Sequence, residues 1–134
     1  MSFNSELFTQ VAIHIALSFS SFLPMSGVTN KEFFSGLKGN PGDDYEKTKW
    51  FSSTVVPLVF DDLKSKSQYA GLNEEKSVIM LAKKVGSNIS CFVINERKWP
   101  SEEDVKAVIN HSASEVLESM DYKVKSKVKK RKLP

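Results

Sequence analysis

Residues 73–94, NEEKSVIMLAKKVGSNISCFVI, decide the fold. Asn73 stands as a cap, Glu74 and Glu75 occupy the first turn, and Lys83 and Lys84 the last, so the charges complement a helix dipole over 73–85. Gly86 follows where glycine ends helices, because it takes the left-handed conformation without strain. Residues 89–94, ISCFVI, are few and rich in β-branched and aromatic side chains, the composition of a strand. Pro100 and Ser101 then open a second helix with Ser101 and Asp104 as a capping box. Val105, Val108, Ile109, Ser112, Val116 and Met120 recur along it at intervals of three and four. From Asp121 to Val124 the chain reads as the start of another strand. Helix, strand, helix, strand in that order predicts a crossover unit and a mixed α/β domain. An all-α bundle is the alternative.

The first half reads as mostly helical. Residues 5–22 carry Phe8, Val11, Ala12, Ile15, Phe19 and Phe22 at helical spacing, although Val11, Ile13, Ile15, Leu17 and Phe19 also alternate as in a strand. The length favours a helix, apolar nearly all round and therefore central to the core. Thr29 and Glu32 form a capping box for a short helix bearing Phe33, Phe34 and Leu37, and Gly39-Asn40-Pro41-Gly42 is a loop. A third helix starts near Asp43, with Phe51, Val55, Val59 and Leu63 on one face. Pro57 lies inside it and must kink or split it, having no N–H and clashing with the preceding turn; the rival reading makes residues 54–60, TVVPLVF, a strand with Pro57 at an edge.

At 134 residues the chain is one domain, and 40% apolar and 26% charged residues are globular values. Cys91 stands alone, which excludes a disulfide framework and a multi-cysteine zinc site and agrees with a reducing compartment. The apolar N-terminus has Glu6 where a signal peptide has positive charge, and serines interrupt it short of a membrane span. The expectation is a cytoplasmic protein, nuclear if its host is eukaryotic.

Charge is strongly partitioned. All 16 Asp and Glu lie in residues 1–121, which with Tyr122 hold 12 of the 19 Lys and Arg, so this body carries −4. The remaining residues, 123–134, carry +7 through Lys123, Lys125, Lys127, Lys129, Lys130, Arg131 and Lys132. A basic tail on an acidic body attracts polyanions from one end only. Contacts of this kind neutralise phosphates, release counterions and weaken steeply with salt. The division is therefore a compact domain over 1–122 and a basic tail over 123–134, with nucleic acid or a nucleoprotein as the expected partner and a merely solvated, frayed terminus as the alternative reading of the tail. Trp50, Phe51 and Trp99 stand beside charged residues and are candidate partner-binding anchors, Trp99 alternatively stacking a base or covering the core. An exposed patch of Phe33, Phe34, Trp50 and Phe51 would instead mark a protein–protein module such as an inhibitor, immunity protein or assembly subunit.

Catalytic signals are sparse. No nucleotide-binding glycine loop, nucleophile elbow or metal-spaced pair occurs, so no cofactor or resident metal is expected. Cys91 reads as a small buried apolar residue, His111 as a rim histidine and His14 as a core or interface histidine. A helix-turn-helix over 78–95 fails, since it would set Val93 and Ile94 against base edges. The apolar run before Glu96-Arg97-Lys98, taken with Asp61 and Asp62, resembles the PD-(D/E)xK nuclease pattern. That resemblance implies an aspartate and Glu96 holding a divalent cation, with Lys98 assisting the attacking water. Solvated charges at the ends of elements account for the same residues, and the reading favoured is a non-enzymatic binding protein.

Overall fold

The computed structural model describes residues 5–22, 37–42, 44–65 and 75–132, with side chains in the last run described as far as Ser119. Helix α1 (Ser5–Phe22) is followed by α2 (Asp44–Trp50), a π-helical turn (Phe51–Val55) and α3 (Val56–Ser65), which join end to end into one rod. Then come α4 (Glu75–Glu96) and α5 (Glu102–Lys132). Among the described residues there is no strand, and the one β-type pairing is an isolated parallel bridge between Lys38 and Lys98. The mixed α/β expectation is thus overturned in favour of the all-α alternative.

The difference begins at Gly86. Helix α4 runs straight through it, and residues 89–94 are helical. Val78, Leu81, Ala82, Val85, Gly86, Ile89, Ser90 and Val93 are all buried, a stripe at intervals of three and one that never breaks. Glycine is needed there because α1 lies so close. A Cβ at 86 would collide with the Ile15 carbonyl oxygen and stand 2.9 Å from Ser18 Cβ. Four residues on, the buried Ser90 hydroxyl donates to the Phe19 carbonyl at 2.7 Å. The helix-weakening cost of glycine, about 1 kcal/mol, is offset by the most extensive helix–helix contact among the described residues. By length and hydropathy α4 would also suit a membrane span, but half of that window is buried in the bundle and Lys83 and Lys84 are exposed at its middle.

The second strand is overturned in the same way, since α5 continues as helix from Glu102 through 121–124 to Lys132. Its capping box forms as read. The Ser101 N–H donates to Asp104 Oδ2 at 3.0 Å, and the Asp104 N–H donates back to Ser101 Oγ at 3.2 Å. Between α4 and α5, Arg97 takes a left-handed φ of 57° and its N–H closes onto the Val93 carbonyl at 3.0 Å, ending the helix that Gly86 does not.

Pro57 does not split its rod. The turn before it widens, so that the Val56 N–H reaches back five residues to the Phe51 carbonyl. A π turn makes room where a proline ring would otherwise strike the preceding carbonyl. Phe51, Val55, Val59 and Leu63 then face the core as expected. In α1 the buried stripe is Leu7, Val11, Ile15 and Phe19, while Ile13 and Leu17 are 50% and 61% exposed, so the helix is peripheral on one side and not buried all round. Phe8 against Phe60 and Phe19 against Phe51 set α1 antiparallel to the rod. The loop at 39–42 forms, with the Gly42 N–H held by Asn40 Oδ1 and the Trp99 N–H donated to the Lys38 carbonyl. The expected helix from Thr29 with Phe33 and Phe34 lies outside the described residues.

Candidate functional site

The aromatic candidates assemble, but inwardly. Trp99 lies 5.1 Å from Trp50, 5.5 Å from Phe19 and 6.4 Å from Phe51, ring centre to ring centre. Their mostly tilted, edge-to-face packing closes one end of the core. Phe51 and Trp99 are buried and Trp50 half-buried. Trp99 therefore covers the core, and no base can stack on it as it stands.

Three of the four residues of the nuclease resemblance sit on helices and Lys98 on the isolated bridge to Lys38, so none lies on the strands that the resemblance implies. Asp61 and Asp62 are on α3, Glu96 is the last residue of α4, and Lys98 follows it. Asp61 and Asp62 line a cleft of about 530 Å³ with Glu102, Lys106 and Asn110, whereas Glu96 and Lys98 are exposed elsewhere and do not line it. Lys98 instead lies 5.9 Å from the Phe92 ring centre. Among the described residues no group of three His, Cys, Asp or Glu converges as a metal site. Cys91 is half-buried, as is His14, and His111 is exposed.

One surface escaped the sequence reading. Ala12, Ile13, Ala16 and Leu17 of α1 face Thr48 of α2, Ser52 of the π turn and Pro57 of α3 across an apolar groove of about 460 Å³. Its signal was present in the sequence: Ile13 and Leu17 are apolar residues off the helical stripe, which the core does not need.

The basic end of the chain is placed by α5. A polar lock sets the register of this helix against α4. The Asn88 amide donates to Ser112 Oγ at 2.9 Å and to Glu115 Oε1 at 2.8 Å, and Lys84 lies 3.6 Å from Glu115. His111 adds a contact of 3.3 Å to the same carboxylate. The Asn88 bond, opposed by partial burial and reinforced by Lys84 and His111, holds Glu115 below the usual carboxylate range. At the start of α5, the Ser101 backbone and hydroxyl likewise hold Asp104 low. Further along, Met80 and Ser119 border one groove, so each step back on α4 matches a step forward on α5. Continued, this antiparallel register sets Glu75 level with about position 125. The last turns of α5, which include 127, 129, 130, 131 and 132, run past the start of α4. The seven basic residues thus prolong a helix anchored in the core at Val105, Ile109, Ala113 and Val116. Comparison with protein families, with curated proteins and with solved structures returns no match to this chain.

Proposed function

We propose that this chain is a non-enzymatic helical binding protein that contacts nucleic acid through the basic end of α5. The observation that carries the reading is the charge partition, −4 over residues 1–122 against +7 over 123–134. Its support is the continuation of α5 beyond the start of α4, which offers those seven charges at one end of the molecule. Counterion release from phosphates supplies the driving force, so binding is strong at low salt and carries little base specificity. The test is a salt titration of binding to duplex and single-stranded DNA and RNA, with the full chain beside a variant ending at Tyr122. A log–log slope of several units that disappears in the shortened variant, its helicity otherwise intact, supports the reading. An undiminished slope in that variant, or no binding by the full chain at about 50 mM salt, overturns it.

A second reading rests on the apolar groove between α1 and the rod. Ile13 and Leu17 stay 50% and 61% exposed beside it, and such a groove suits an apolar segment of a protein partner. A partner whose capture survives removal of 123–134 but is lost in Leu17→Asp would favour this reading over the first.

A further inference from the structure

The groove between α1 and the rod is bordered by a ridge with the same spacing as its floor. Ile13 and Leu17, four residues apart, stand outward at 50% and 61% exposure, while Ala12 and Ala16, one residue before each, floor the groove. One residue turns a helix by about 100°, so α1 offers a row of large side chains and a row of small ones side by side. Helices pack by laying ridges into grooves, and rows at spacing four interdigitate with rows at spacing four. None of the described residues lining the groove is charged, although 26% of the chain is. Its wall on the rod carries Thr48, Ser52 and Pro57. The Ser52 hydroxyl donates to the Thr48 carbonyl at 3.1 Å and is thereby turned back onto its own helix.

We infer that this groove binds a second copy of the chain, the ridge of Ile13 and Leu17 in each copy seated in the groove of the other about a two-fold axis. The inference rests on the second reading above and names its partner. An isologous contact needs a surface complementary to itself, and a ridge beside a groove of equal spacing is such a surface. Close to a two-fold axis a charge faces its own copy, and like charges brought together oppose binding, so the uncharged lining suits this partner above others. The available area agrees. Helix α1, with 18 residues, is about 27 Å long, and with the rod beside it presents a face about 20 Å wide. Two such faces bury roughly 1,000 Å² together, the low end for a specific interface, so the dimer is reversible and forms at micromolar concentrations. The aromatic pairs give the register. Phe8 against Phe60 and Phe19 against Phe51 set Leu17 level with Ser52, and Ile13 level with Pro57, within one copy. A two-fold axis between Ile13 and Leu17 exchanges these levels, so Ile13 of one copy meets Ser52 of the other.

The experiment is sedimentation equilibrium of the full-length protein from about 5 to 500 μM, with the parent, I13D, S52R and an equimolar mixture of the two variants. Both positions are exposed, and far-UV circular dichroism checks that each variant keeps its helicity. The parent should rise from the 15.0 kDa of one chain toward twice that mass. Either variant alone should stay at one chain, its Kd raised by about tenfold or more. The mixture should regain the dimer, because the new carboxylate of one copy then faces the new guanidinium of the other. A parent that stays at one chain throughout overturns the inference, as does a dimer that neither variant weakens. Variants that both dissociate the dimer without recovery on mixing overturn the two-fold register. The dye anilinonaphthalene sulfonate, which reports exposed apolar surface, separates these failures from failure of the second reading. A single-chain parent that binds the dye, with binding lost in I13D, keeps the apolar groove and rejects the second copy. A single-chain parent that binds none rejects both.

Discussion

Replacing Gly86 by alanine tests the helix crossing on which the fold depends. At an exposed helical site the change would gain about 1 kcal/mol, because alanine loses less backbone freedom on folding. At this site the added methyl meets the Ile15 carbonyl oxygen and lies 2.9 Å from Ser18 Cβ, so the obstacle is backbone and cannot rotate away. Val11, Ile15 and Phe19 on one helix, and Val85 and Ile89 on the other, are fully or almost fully buried and resist a shift. Overpacking of this kind costs about 1–3 kcal/mol. Forcing α1 off α4 also strains the bond from Ser90 to the Phe19 carbonyl, which contributes about 1 kcal/mol. Set against the propensity gain, the net loss is about 1–3 kcal/mol, a fall in Tm on the order of 5–10 °C for a chain of this size. Urea and thermal unfolding followed by far-UV circular dichroism measure it, and the urea slope m should not change. A G86A protein more stable than the parent by about 1 kcal/mol would refute the close crossing and restore Gly86 as an ordinary helix position.

Three further outcomes follow from local geometry. Arg97 holds a left-handed φ of 57°, and Arg97→Gly should raise stability by about 0.5–1 kcal/mol in urea unfolding; a loss would mean that its side chain matters more than the strain. Glu115 sits below the usual carboxylate range, so its contribution is complete above the unfolded value near 4.3 and is lost as the pH falls through the lower folded value. Glu115→Gln should therefore cost about 0.5–1 kcal/mol at neutral pH, with the gap to the parent closing on acidification below pH ~4; a gap independent of pH would rule out the charge as its cause. Ile13→Ser with Leu17→Ser, at side chains half or more exposed, should cost less than about 1 kcal/mol by thermal melt, and a loss of several would show that the groove is filled in the folded protein.

Much of the helical architecture was legible, and the failures share one physical cause. Face assignments in the rod and in the first half of α5 followed from spacing alone: Phe51, Val55, Val59 and Leu63, then Val105, Ile109 and Val116, are all buried. The error at 86–94 came from weighing local propensity above period. Glycine and a β-branched run argue for a stop and a strand when read residue by residue. The stripe Val78, Leu81, Val85, Ile89, Val93 argues for one helix when read across them, and tertiary packing decided for the stripe. What no spacing could reveal was the partner of that glycine, since Ile15 and Ser18 lie about seventy residues earlier in the chain. Pro57 is the converse case. The residue was correctly identified as unable to continue a regular helix, but the widened turn that absorbs it depends on Phe51 and Val55 both being held in the core. The candidate site divided likewise. The charge of the tail was plain in composition, whereas its place on the continuous helix α5 was hidden, because residues 121–124 read locally as the start of a strand.

The basic end of α5 also admits a purely structural reading, and one pair of residues separates it from nucleic-acid binding. Cations near a helix C-terminus complement the negative end of the dipole and cap the last carbonyls. Lys129, Lys130, Arg131 and Lys132 occupy the final turn of α5 and could serve only that purpose. The dipole's influence fades within one turn, so it gives no role to Lys123 or Lys127, which stand about one to two and a half turns from the end. If the basic residues serve only the helix, K123Q/K127Q leaves both stability and nucleic-acid binding as they were. If the basic residues each meet a phosphate, K123Q/K127Q leaves stability within about 0.5 kcal/mol of the parent and lowers the salt slope on duplex DNA by about 2 units. A drop in Tm with no change in slope would assign both lysines to the fold, and the nucleic-acid reading would lose its first two contacts.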